Sequence, residues 1–192
     1  MNQLLEWLKV GDLTSDGAAN EVVRFVRADL RLLDDLIEGL TVVEEVVRGH
    51  TADALEKLAR SYPERLLQYL PLLIRTVKED PIPMVRWHIA MILGHISMYP
   101  DYLEEILVVL MELLSDQSTF TKSWAIVSLC ILARQYPEKV DPIVNAIAPL
   151  KTSSSIAIRS KVRNALAILT DEYSPFPKGW IKSEHLKKLL ES

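Results

Sequence analysis

The chain has 192 residues, about half of them apolar, with few aromatic residues, six glycines and a formal net charge of −4. Scarce glycine together with abundant Leu, Ile, Val, Ala and Glu favours helices over β-sheet. A negative net charge and a pI near 5.6 argue against a generally basic protein that binds nucleic acid through its phosphates.

Two helices are predicted before residue 42. A short helix at about 2–9 precedes the polar loop GDLTSDGAAN, and a long amphipathic helix spans 19–39. The apolar residues of the long helix repeat those of a segment 40 positions later, pairing Val26 with Leu66, Leu30 with Leu70 and Leu33 with Leu73. We expect residues 1–41 to form a cap, because a stack of repeats has an open apolar end that must be covered.

A tyrosine–proline–acid motif then recurs with a fixed period. Tyr62, Tyr99 and Tyr136 are 37 residues apart, and a further 37 residues lead to Tyr173 in the altered form EYSPFP. Proline is tolerated at the first position of a helix but not in its interior, and it moves the preceding residue out of the α region. The acid that follows is favoured by the positive end of a new helix dipole. Each motif therefore predicts the end of one helix and the start of another.

The segment after each motif predicts a second helix, here called helix B. Its apolar residues lie at i, i+3, i+4 and i+7, the spacing of one helix face. They match across three copies in four columns: Leu66, Leu103 and Val140; Tyr69, Ile106 and Ile143; Leu70, Leu107 and Val144; Leu73, Leu110 and Ile147. The other positions vary, as expected for stacked helices with one buried face.

The segment before each motif predicts a first helix, helix A, in four copies: 47–58, 85–96, 121–132 and 158–169. Polar, turn-forming segments precede three of them, namely KEDPIP, SDQS and KTSSS. The alignment of the four copies places basic residues in one column: Arg48, Arg86, Lys122 and Arg159.

The order of helix A, turn, helix B and an Asp-containing loop resembles the HEAT-repeat family. The stretch DPIPMVRWHIAMILGHI matches the family pattern best, at Asp80, Pro83, Val85, Arg86, Ala90, Leu93 and Gly94. The resemblance covers about 42–171, and the copy at 121–132 departs from it, with Thr121 and Lys122 in place of Val-Arg. It implies an all-α fold, a short right-handed α-α superhelix of HEAT-like two-helix repeats.

One copy cannot bury enough apolar surface to offset its own backbone entropy, so we expect a single domain over 1–192. Its parts are the N-terminal cap at 1–41, repeats at 42–80, 81–117 and 118–154, and a C-terminal repeat and cap at 155–192. The last helix is expected at about 184–191, behind a Ser183 cap.

The basic column is interpreted as a structural ladder. Each member stands near the start of a helix A and is expected to pair with acids of the preceding loops, such as Glu45, Asp80 and Asp116. In HEAT proteins the equivalent Asp and Arg residues link neighbouring repeats, so the resemblance implies the same role here. A phosphate-binding row is the alternative.

The functional hypothesis is a non-catalytic interaction or scaffold module that binds a protein or peptide along the helix B face. Six variable positions of that face are the expected contacts: Gln68, Arg75, Glu104, Glu105, Glu112 and Asn145. Residues 1–116 carry 11 basic and 20 acidic side chains, net −9, whereas 117–192 carry 11 and 6, net +5. Because the two halves have opposite charge, a homo-oligomer joined through the solenoid ends is a further alternative. Neither nucleic acid nor a membrane is expected as a partner.

An enzymatic alternative stays open. Trp87 and Trp124 lie near the starts of adjacent A helices, and KSWAIVSL faintly resembles HEAT-like DNA alkylation-repair glycosylases, which stack aromatic residues on bases. A bilin-lyase-like enzyme subunit is the other member of this class. No catalytic motif is found, and His50, His88 and His95 lack the spacing of a metal site, so neither metal nor cofactor is expected.

Cellular location is inferred from the cysteine count and the first residues. Cys130 is the only cysteine, and its neighbours in SLCIL predict a small buried side chain rather than a nucleophile. A single cysteine favours a reducing compartment, and MNQLLEWLKV is unlike a secretory signal. The expectation is a soluble, cytoplasmic protein.

Overall fold

The structure, a computed structural model, describes residues 3–171 and 173–191. Over those residues it contains α-helices and 3-10 turns and no strand. The α-helices are α1 (Gln3–Trp7), α2 (Ala19–Ala28), α3 (Leu33–Ile37), α4 (Glu45–Ala59), α5 (Leu70–Glu79), α6 (Pro83–Ile96), α7 (Leu103–Glu112), α8 (Thr119–Gln135), α9 (Val140–Ile147), α10 (Ile156–Thr170) and α11 (Glu184–Glu191). The predicted fold class, all-α with HEAT-like helix pairs, is confirmed.

The chain divides into two compact units, Met1–Ile89 and Ala90–Ser192, with the boundary inside α6. In the first unit α2 packs against α4, and α4 also packs against α3. In the second unit α8 packs against α10, α7 and α9. The four predicted A helices lie within α4, α6, α8 and α10, and the later B stripes lie in α5 with its preceding turn, in α7 and in α9.

Each tyrosine–proline motif forms a corner between helices A and B, as predicted. Tyr62, Tyr99 and Tyr136 have φ of −136°, −98° and −129° and positive ψ, which is outside the α region, as the following proline favours. Each proline opens a 3-10 turn, at Pro63–Tyr69, Pro100–Tyr102 and Pro137–Lys139. The backbone then enters helix B.

The first of these turns is longer because of a second proline. Pro71 lies in the first turn of α5, where a missing N–H is tolerated. An α-helix that began at Leu66, the position equivalent to the start of α7, would place Pro71 in its interior. The chain therefore stays in 3-10 geometry to Tyr69 and still buries Leu66, Leu70 and Leu73.

The predicted long helix over 19–39 is wrong. Helix α2 ends at Ala28, and Asp29 adopts an extended conformation with φ −143° and ψ 97°. Its carboxylate accepts a hydrogen bond from the Arg31 backbone N–H at 3.1 Å and binds the Arg31 guanidinium, at 2.7 Å from Nη2. Because this side chain satisfies the start of a new turn, the helix breaks without a proline.

The break changes the register predicted for the N-terminal region. Residues 30–41 form a short helix B, made of the turn Leu30–Leu32, α3 and the turn Glu38–Thr41. Its buried apolar residues are Leu33, Leu36, Ile37 and Leu40, which precede Leu66, Tyr69, Leu70 and Leu73 by 33 residues rather than 40. Residues 19–41 are thus a two-helix repeat in which Asp29 stands at the corner.

His50 of α4 fixes the loop between α1 and α2. Its ring is fully buried, with Nδ1 2.8 Å from the Leu8 carbonyl oxygen and Nε2 3.0 and 3.1 Å from the carbonyl oxygens of Asp12 and Ser15. Gly17, at φ +46°, passes so close that a Cβ would lie 2.5 Å from the ring. The loop is therefore tied to α4 by backbone groups.

The loops before α6, α8 and α10 share one turn. A side-chain oxygen accepts a hydrogen bond from the backbone N–H two residues on, pairing Asp80 with Ile82, Asp116 with Ser118 and Ser153 with Ser155. Ser118 and Ser155 then cap α8 and α10, and Ser183 caps α11 with Leu186 N–H 3.3 Å away. The predicted last helix and its cap are confirmed.

Helices α6 and α8 approach closely at Gly94. A Cβ at this position would lie 2.9 Å from Ser128 Cβ and 3.2 Å from Ser128 Cα. The Ser128 hydroxyl is itself held, because it donates to the Ala90 carbonyl oxygen at 2.7 Å. The contact therefore admits only glycine without a shift of one helix.

We predict that Gly94→Val lowers the free energy of unfolding by about 2–3 kcal/mol, because the added carbons overpack the α6–α8 contact. Urea unfolding followed by circular dichroism measures the change. Ala167→Val, on the exposed side of α10, is the matched control and costs less than about 1 kcal/mol. Equal unfolding midpoints for the two variants would contradict the close approach.

Candidate functional site

Helix α7 separates an apolar side from an acidic side. Leu103, Ile106, Leu107 and Leu110 are buried at i, i+3, i+4 and i+7, as the helix B pattern predicts. The opposite side carries the exposed residues Glu104, Glu105, Val108 and Glu112, which we call the acidic stripe. Val108 is 52% exposed, so the stripe combines negative charge with an accessible apolar side chain.

One member of the acidic stripe has a partner in the next repeat. Lys139, from the turn before α9, donates to Glu104 Oε1 and forms an ion pair with it. The Glu104 side chain is 71% exposed, and an ion pair that open to solvent contributes about 0–1 kcal/mol. The pair orients Glu104.

All six predicted contact residues are exposed. Glu104, Glu105 and Glu112 lie on α7, and Asn145 lies on α9 of the same unit. Gln68 and Arg75 belong to the first unit, in the turn Pro63–Tyr69 and in α5. The structure thus brings the three glutamates onto one helix face, and the contact role of the six residues stays a prediction.

The first member of the basic column is part of a buried ion pair. Arg48 Nε lies 2.6 Å from Asp80 Oδ2, and the two side chains are 12% and 6% exposed. Arg48 Nη1 also donates to the carbonyl oxygens of Val42 and Val43, at 3.0 and 2.6 Å. Arg48 therefore joins the loop before α4 to the loop that follows α5.

The later arginines of the column repeat part of this pattern. Arg86 Nη1 donates to the Asp80 carbonyl oxygen at 2.7 Å, and Arg159 Nη1 donates to the Ser153 carbonyl oxygen at 2.7 Å. In both cases the acceptor lies six residues before the arginine, as Val42 does for Arg48. Lys122, the remaining member of the column, is half-buried. The sequence predicted acidic side chains as partners of these arginines. It did not predict backbone carbonyl oxygens, because every residue type has one. The inter-repeat ladder as a whole stays a prediction.

We predict that Arg48→Met and Asp80→Asn each lower the free energy of unfolding by about 3 kcal/mol, because each leaves a buried charge without its partner. Asn keeps the acceptor that Ile82 N–H uses. A double-mutant cycle measured by urea unfolding should give a coupling of about 1–3 kcal/mol.

The exposed pair Glu21–Arg24 is the matched control for this cycle. Its side chains are 51% and 74% exposed, so its coupling should stay below about 1 kcal/mol. A coupling for Arg48 and Asp80 as small as that of the control would contradict the role given to the buried pair.

The histidines of α4 and α6 have separate partners. His88 Nδ1 donates to the Met84 carbonyl oxygen at 2.9 Å, and Nε2 accepts from the Trp87 indole N–H at 3.2 Å, with Asp53 Oδ1 3.4 Å away. Burial lowers the pKa of His88, which favours this neutral form. In the described ranges, 3–171 and 173–191, no three His, Cys, Asp or Glu side chains are grouped as metal ligands.

The faces of Trp124 are in contact with basic groups of the chain. Lys161 Nζ and Lys182 Nζ each lie 5.7 Å from its ring centroid. Lys161 also lies 4.6 Å from the ring centroid of Trp180, which is 6% exposed. Burial lowers the pKa of Lys161. Trp180 was missed by sequence reasoning, because an isolated tryptophan in a loop gives no periodic signal of burial.

Cys130 is fully buried within α8, as its apolar neighbours predict. Burial raises the pKa of its thiol, so the side chain stays protonated at neutral pH. A protonated thiol without access to solvent is a poor nucleophile, and the side chain acts as a small packing group.

The sequence matches one family description. A family model of HEAT repeats matches residues 33–130, which is 98 of the 192 residues. No curated protein matches the chain. No helix in the described part of the chain has the length and apolar character of a membrane span.

Three solved structures share the fold at low sequence identity. A crystal structure of an engineered protein is 21% identical, with a TM-score of 0.60 over 88% of this chain and 80% of that chain. A designed armadillo repeat protein is 18% identical, with a TM-score of 0.59 over 86% of this chain and 80% of that chain. A second engineered protein is 19% identical, with a TM-score of 0.58 over 88% of this chain and 47% of its own. These similarities concern the repeat architecture alone.

Proposed function

Because the chain belongs to the family of HEAT repeats, we propose that it is a non-catalytic scaffold that binds a protein or peptide along its B helices. Stacked two-helix repeats present one helix of each pair as an extended surface, and function depends on the side chains grafted there. The acidic stripe of α7 is the observation that carries this proposal.

The stripe is not required by the packing of α7. The buried side of the helix is fixed by contacts with its neighbours, whereas the exposed side can vary without loss of core area. No Lys or Arg occurs from residue 87 to residue 121, and the Lys139 that pairs with Glu104 comes from the next repeat. A one-sided concentration of negative charge around Val108 therefore supports a role in recognition.

The chemistry of the stripe indicates the partner. Carboxylates at three positions attract a basic segment, and Val108 offers an apolar contact that excludes water from the centre. The partner is a basic peptide or protein surface with at least one aliphatic or aromatic side chain. Its attraction weakens with salt, because exposed charges are screened within a Debye length of about 8 Å at physiological ionic strength.

The remaining three predicted contacts lie outside α7. Asn145 is exposed on α9, where an amide can donate to and accept from a partner backbone. Gln68 and Arg75 offer further polar contacts from the first unit. We propose that each of these three residues makes a polar contact with a partner, with a smaller individual contribution than the stripe.

We predict that charge reversal of the stripe, Glu104→Lys with Glu105→Lys and Glu112→Lys, abolishes partner capture. The immobilised protein is incubated with native lysate at low salt, and the retained proteins are identified by mass spectrometry. The variant should retain the partner at least about tenfold less than the unmodified protein, because attraction becomes like-charge repulsion.

A matched variant carries Glu21→Lys, Glu44→Lys and Glu45→Lys, three exposed acids outside the B helices, and has the same net charge. It should retain the partner normally. Loss of capture by this control to the same extent as by the stripe variant, or full capture by both, would overturn the assignment of the stripe.

A further inference from the structure

A groove lies at the C-terminal end of the second unit. It is formed by the loop 173–181, α11 and the end of α8, and its cavity measures about 890 Å³. Binding pockets for organic ligands fall at about 300–1,000 Å³, so the groove can hold several side chains of a partner. We call it the C-terminal groove. Its lining includes Arg134, Tyr173, Phe176, Lys178, Lys187 and Leu189.

The walls of the C-terminal groove are fixed by internal contacts. Arg134 Nη2 donates to the Ser174 carbonyl oxygen at 2.8 Å, and its guanidinium lies 5.1 Å from the centroid of the Phe176 ring. Asp171 accepts from the Tyr173 backbone N–H and from the Ser174 hydroxyl, at 3.0 and 3.1 Å. Buried Trp180 anchors the far end of the loop. A preformed groove loses little entropy when a ligand binds.

The side chains of the groove are apolar and cationic. Tyr173 is 85% exposed and Leu189 is 44% exposed, so two large apolar side chains face solvent. Arg134, Lys178 and Lys187 supply positive charge. Lys187 is paired with Glu184, one helical turn away. Among the described residues that line the cavity there is no carboxylate.

From this combination we infer that the C-terminal groove binds an acidic peptide segment that carries large apolar side chains. Tyr173 and Leu189 offer exposed apolar area to the side chains of a partner, and the cationic groups of the groove favour carboxylates. A nucleic-acid strand fits less well. Its affinity depends on the neutralisation of many phosphates, whereas this groove has three cationic side chains and is otherwise lined largely by apolar residues.

This surface is distinct from the acidic stripe and has the opposite charge preference. The stripe attracts a basic partner, whereas the groove takes an acidic one. The proposal stands on residues of the loop 173–181, α8 and α11, and its failure leaves the proposed function of α7 unchanged.

The test is fluorescence anisotropy with short labelled peptides and the full chain. The first peptide is rich in Asp and Glu with Leu and Phe interspersed; the second replaces each acid by Lys; the third replaces each apolar residue by Ser. We expect saturable binding of the first peptide, weaker binding of the third and none of the second.

Variants locate the site on the chain. Lys178→Glu should weaken binding of the first peptide about tenfold, because a glutamate at this position repels the acidic peptide that the lysine attracts. Tyr173→Ser should also weaken binding, because it removes an apolar contact. Both residues are exposed, so neither change should affect folding, which circular dichroism checks. Lys151→Glu, exposed in the turn Ala148–Thr152, is the matched control and should bind normally.

Several results would overturn the inference. These are equal affinity of the Lys178→Glu variant and the unmodified chain, equal binding of the acidic and basic peptides, and displacement of the acidic peptide by a short single-stranded oligonucleotide at lower concentration than by the unlabelled peptide. Self-association that Lys178→Glu abolishes, measured by sedimentation, would assign the groove to a second copy of this chain instead.

Discussion

The architecture depends on the points where the backbone must leave helical geometry. A proline has no N–H and disfavours the α conformation in the residue before it, and Tyr62, Tyr99 and Tyr136 all lie outside that conformation. Because each corner fixes where helix B begins, it also fixes which side chains of that helix turn inward. The buried leucines of α7 and the exposed acids beside them follow from this register.

The corner between helices A and B does not always contain a tyrosine–proline pair. At Asp29 a carboxylate takes the place of the tyrosine–proline pair by accepting the N–H of Arg31 and binding its guanidinium. Because the backbone hydrogen bond from Leu32 N–H to the Asp29 carbonyl oxygen matches that from Arg65 N–H to the Tyr62 carbonyl oxygen, the two corners have the same connectivity. The first repeat therefore shares the architecture of the others without sharing their sequence signature.

This difference explains which elements could be predicted. Proline acts locally and the apolar period of 37 residues is regular, so the corners at 62, 99 and 136, the A helices and α11 follow from the sequence. The break at Asp29 does not, since the apolar spacing of 19–39 continues through it. At the candidate site, the exposure of Glu105 and Glu112 follows from the same period. The pairing of Glu104 with Lys139 and the burial of Trp180 depend on contacts between segments distant in sequence.

Four residues, Asp29, Tyr62, Tyr99 and Tyr136, break the helices and set the register of the helix B that follows each of them. Backbone assignment by NMR tests this statement most directly, because Cα and Cβ chemical shifts report local φ and ψ. We expect Cα and Cβ shifts outside the helical range at these four positions, with helical shifts in the helix A that precedes each of them and in the helix B that follows. A helical shift at Asp29 within an unbroken helix from 19 to 39, or helical shifts at any of the three tyrosines, would contradict it.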